Sequence, residues 1–71
     1  MARYQKIEHG GDHLVWDYEA QKMFMLTDPE TNTYQWLSKV QSLESWLKFC
    51  PYAEDEGQTD KFPGDMSPQG L

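Results

Sequence analysis

The spacing of apolar positions changes period once along this chain, near Trp36, and that change sets the expected architecture. Between residues 13 and 19, Leu14, Trp16 and Tyr18 fall on one side at period two and Val15 and Asp17 on the other, the pattern of a β-strand. Residues 23–27, Met-Phe-Met-Leu-Thr, form a continuous apolar run too short to favour a helix. A short hairpin tip at Ala20 and Gln21 would set Tyr18 opposite Met23, Trp16 opposite Met25 and Glu19 beside Lys22. Upstream, residues 3–8 are extended and charged, which suits an edge strand, and the Gly10-Gly11 pair that follows marks a hairpin turn. Downstream, Asp28 to Asn32 is a turn by composition, and residues 33–37 read as a further strand from their β-branched and aromatic content.

From Trp36 the spacing becomes helical: Trp36, Val40, Leu43, Leu47 and Cys50 recur at intervals of four and three, with Trp46 beside the stripe. Ser38 followed by Gln41 fits a capping box and places the helix start near Lys39, while Ser42 is a second cap that shortens the helix by a turn. Glu44 and Lys48 form a favourably oriented i, i+4 pair, and Pro51 ends the helix. The expected fold is α+β: a small antiparallel three- or four-stranded β-meander packed by one C-terminal α-helix, followed by a flexible acidic tail. Residues 1–52 make the domain and residues 53–71 the tail, in which Phe62 and Met66 are the large apolar side chains besides Leu71.

Composition sharpens this division. Nine of the ten aromatic residues precede position 53, as a 71-residue chain near the lower size limit for a self-sufficient core requires. The net charge is −6, of which residues 1–50 carry −2 and the tail carries −4. That sign disfavours nucleic acid and anionic membranes as partners. Cys50 is the sole cysteine, so no intrachain disulfide forms, and its place on the apolar stripe suits a small core residue. With no long apolar run and no leader pattern, a cytoplasmic location is expected.

Motifs for chemistry are sparse. His9, Asp12 and His13 offer three ligand atoms around one tight turn, but the sequence reads there first as a glycine hairpin with polar flanks, and no metal or other cofactor is expected. Neither histidine is paired by sequence with Cys50 or a serine, and no phosphate-cradling loop or dinucleotide fingerprint is present, so an enzymatic role is not expected. Both sides of the sheet carry apolar groups: Leu14, Trp16, Tyr18, Met23 and Met25 against Val15, Phe24 and Leu26. One helix covers one side, so the other is covered either by a partner or by strand twist and the tail.

The leading expectation is a small non-catalytic protein-binding module, of the kind found among bacterial or phage regulators and inhibitors. It would occlude or scaffold a protein partner through Trp16, Tyr18, Met25, Trp36 and Trp46. Homo-oligomerisation is a further way to cover apolar surface. An acidic decoy that mimics nucleic acid is the alternative, limited by acids that the flexible tail would not hold in place. A single-strand nucleic-acid binder using strand-borne aromatics is a third reading, which lacks a basic track for phosphates.

Overall fold

A computed structural model describes residues 2–67. Six strands, β1 (Tyr4–His9), β2 (Asp12–Asp17), β3 (Lys22–Asp28), β4 (Thr33–Trp36), β5 (Glu54–Thr59) and β6 (Asp65–Met66), form one sheet in the order β5-β1-β2-β3-β4-β6. All neighbours are antiparallel except β4 and β6. Among the described residues one short helix, α1 (Leu43–Phe49), stands between β4 and β5. The fold is thus mixed α+β as expected, but the sheet has six strands and the helix is not C-terminal.

The first four strands are the expected meander. Gly10 and Gly11, at φ of +58° and +87°, supply the two left-handed residues of the β1–β2 turn. The β2–β3 register departs from expectation: Trp16 faces Met23 and Leu14 faces Met25, two residues displaced from the pairing above. The cause is Asp17. Its Oδ1 accepts hydrogen bonds from the backbone N–H of Glu19 at 3.0 Å and of Ala20 at 3.1 Å, nucleating a four-residue loop that ends with Gln21 at φ +54°. A shift of two preserves alternation, so the expected residues still share a face. Tyr18 leaves the strand for the loop, and Glu19 approaches Arg3 at 3.6 Å instead of Lys22.

Residues 53–67 correct the expectation of a detached tail. Glu54–Thr59 is a strand hydrogen-bonded to β1, which makes β1 an interior strand and β5 the edge. Beyond it Phe62 returns beneath the sheet, and β6 pairs with β4. Residues 68–71, the remainder of the expected tail, lie outside the described residues.

Two apolar clusters occupy opposite faces of the sheet. Ile7, Leu14, Trp16 and Met23 form one, packed by Leu43 and Trp46 of α1 and by Leu37 and Val40 before it. Tyr4, Val15, Phe24 and Tyr34 form the other, packed by Leu26 and Phe62. The Phe62 ring meets those of Tyr4, Phe24 and Tyr34 edge-on, at centroid distances of 5.4, 5.2 and 5.2 Å. The C-terminal segment therefore covers the face that the helix leaves open.

Candidate protein-binding face

The helix is short because the earlier of its two candidate caps is not used. Ser42 sits at φ −152°, ψ 155°, and its Oγ accepts from the Ser45 N–H at 3.0 Å. Residues 37–40 stay with the sheet: the Leu37 N–H donates to the Met23 carbonyl at 2.8 Å. Seven residues make fewer than two full turns, and none of them is fully buried. Glu44 and Lys48 suit the helix dipole at opposite ends but form no ion pair with each other.

An incompletely seated helix leaves a groove. An open depression of about 310 Å³ runs between α1 and the β1–β5 edge, walled by Ile7, Tyr18, Leu43, Leu47 and Ala53. Gln5, Glu54 and Asp55 line its polar end. There the buried Gln5 side chain is fully used: Oε1 accepts from Gln58 Nε2 at 3.0 Å and Tyr18 Oη at 3.5 Å, while Nε2 donates to Asp55 Oδ1 and the Gly57 carbonyl. No buried side-chain nitrogen or oxygen lacks a partner among the described residues. The groove therefore has a fixed polar end and apolar walls, which suit recognition by shape and burial.

Leu47 is 40% exposed on the wall, Phe49 at the end of α1 is 87% exposed, and Tyr52 in the connection to β5 is 86% exposed. Two aromatic rings left almost wholly in water are costly in a core-poor chain, where each would bury about 150–250 Å² if covered. Sequence reasoning missed both. Phe49 carried a signal, since it lies off the Leu43–Trp46–Leu47–Cys50 stripe on the otherwise polar side of the helix.

The five sequence candidates separate in the structure. Trp16, 4% exposed, is core beneath the helix, and Met25 and Trp46 pack on the same cluster. Tyr18 reaches the surface as a groove wall. Trp36 is exposed at the end of β4 on the face opposite the helix, with Lys22 Nζ 4.6 Å from its ring centroid. The five do not form one surface. Alternation on β2 and β4 buries Trp16 and presents Trp36 on opposite sides of the sheet.

His9, Asp12 and His13 do not converge. His9 stacks edge-on against Trp46 at 5.8 Å, whereas His13 Nδ1 meets Glu56 Oε1 at 3.0 Å across the other face. No group of three metal-ligating side chains gathers among the described residues. A second depression of about 340 Å³, lined by Lys6, His13, Tyr34 and Glu56 among others, holds titratable groups but no serine, threonine or cysteine. Burial, with the Glu56 charge adding, raises the Tyr34 phenol above its ordinary value.

The chain matches no family model, no curated protein and no solved structure. Among the described residues no helix is long and apolar enough to cross a membrane.

Proposed function

We propose that this protein is a small non-catalytic binding module of regulator or inhibitor type, acting in the cytoplasm by docking a protein partner on the α1 side. The observation that carries the reading is the exposure of Phe49 and Tyr52 beside the groove wall formed by Leu47 and Ala53. Exposed aromatic side chains with few rotatable bonds supply large contact area at low entropy cost and dominate interface energies. Tyr18 belongs to this contact surface, while Trp16, Met25 and Trp46 support it from beneath. Affinity capture from host lysate with the wild-type chain and with Leu47→Asp tests the reading. The same partner protein is retained by the first and lost by the second; equal retention by both would count against the α1 side.

A second reading, the acidic decoy for a nucleic-acid-handling enzyme, gains support from β5. Glu54, Asp55 and Glu56 stand on a hydrogen-bonded edge strand, so their carboxylates are positioned to a degree that a loose tail would not allow. Deleting residues 53–71 removes both β5 and β6 and is no clean test. Glu54→Gln, Asp55→Asn and Glu56→Gln together remove the charge with the strand retained, and under this reading they abolish a strongly salt-dependent association.

A further inference from the structure

We infer that the groove between α1 and the β1–β5 edge receives a basic amphipathic segment, one in which large apolar side chains alternate with lysine or arginine. The inference rests on the α1-side reading above and adds the chemistry of the occupant. Its walls, Ile7, Leu43, Leu47 and Ala53, accept apolar side chains. Its helix-side lining offers one carboxylate, that of Asp55, and no base, since Glu54 pairs with Glu8 and falls on the other face. By β1–β5 register Asp55 lies opposite Ile7, on the helix side of the sheet, which brings its carboxylate to the groove. Asp55 Oδ1 is engaged by Gln5 and by the Gly57 N–H at 2.7 Å, whereas Oδ2 has no side-chain partner. A cation at that end thus meets a fixed and unneutralised carboxylate. The net charge of −6 opposes a second copy as the occupant, because like charges would face each other across the contact.

Three synthetic peptides of equal length separate the outcomes when titrated into the full chain and followed by amide chemical shifts: a leucine–lysine amphipathic peptide, its leucine–glutamate counterpart and an oligolysine. The leucine–lysine peptide is expected to give saturable shifts at Ile7, Leu47 and Asp55, with affinity about tenfold above the leucine–glutamate peptide. Asp55→Asn, which keeps an acceptor at the position, removes most of that preference. Equal binding of both amphipathic peptides overturns the charge assignment while leaving the groove as an interface. Shifts confined to β5 and matched by oligolysine overturn it in favour of the acidic decoy. Shifts that grow with protein concentration alone, unchanged by peptide, overturn it in favour of self-association. No groove shift with any peptide removes the α1-side reading as well.

Discussion

The Arg3 guanidinium forks the Asp17 carboxylate, with Nε donating to Oδ1 at 3.1 Å and Nη2 donating to Oδ2 at 2.9 Å, although Asp17 is only 1% exposed. The pair ties the start of β1 to the end of β2, and the same carboxylate holds the β2–β3 loop through Glu19 and Ala20. Burial pushes the Asp17 carboxyl up, but the hydrogen bonds from Arg3 and from the two backbone amides outweigh it and leave the group below its ordinary value. Asp17→Ala removes these hydrogen bonds while leaving Arg3 in solvent, and is expected to cost about 2 kcal/mol at neutral pH in denaturant unfolding.

The same shift sets the acid side of the stability profile. Because the folded-state pKa of Asp17 is lowered, its contribution is complete above the unfolded-state value of 3.8 and is lost as pH falls toward the folded value. Tyr34 acts at the other end: its raised pKa makes its contribution complete below 10.0 and lost as pH rises beyond. Thermal melts across pH are expected to fall at both extremes. Asp17→Asn flattens the acid fall and Tyr34→Phe the alkaline one.

Phe62 and Gly64 fasten the C-terminal segment. Phe62→Ala opens a cavity among Tyr4, Phe24 and Tyr34 and is expected to destabilise by about 3 kcal/mol. At Gly64 a Cβ would collide with the Asn32 carbonyl oxygen and lie 2.7 Å from Tyr34 Cε1, so Gly64→Ala displaces the segment. The Asp65 N–H bond to the Asn32 carbonyl, 2.9 Å, then opens, and faster amide exchange at Asp65 and Ser67 reports it.

How much of this was legible in the sequence follows from which forces are local. Leu14 and Trp16 announced their shared face because alternation is intrinsic to a strand. The two-residue displacement was hidden in the Asp17 side chain, whose loop-forming bonds compete with the tighter turn centred on Ala20 and Gln21. Glu54–Thr59 reads Glu-Asp-Glu-Gly-Gln-Thr, with little β-propensity, and becomes a strand through long-range pairing with β1. Phe62 is a single apolar residue without period, so its docking left no pattern to read. At the candidate site, Tyr18 was found by its aromatic character. Tyr52 carried no periodic signal, because its exposure depends on where the connection between α1 and β5 runs.

The helix position depends on Ser42. Ser42→Ala removes the acceptor of the Ser45 N–H and is expected to cost about 1 kcal/mol. Leu43 and Leu47 then hold the groove wall less firmly, and amide exchange in α1 quickens ahead of exchange in β2.

The most direct test of the α1-side account is the affinity of the captured partner for the Phe49→Ser, Tyr52→Ser double variant, measured beside its melting temperature. Both rings already stand in water, so the melting temperature is expected to match the wild type while Kd weakens at least tenfold, about 1.4 kcal/mol. An unchanged Kd at the same melting temperature would contradict the account.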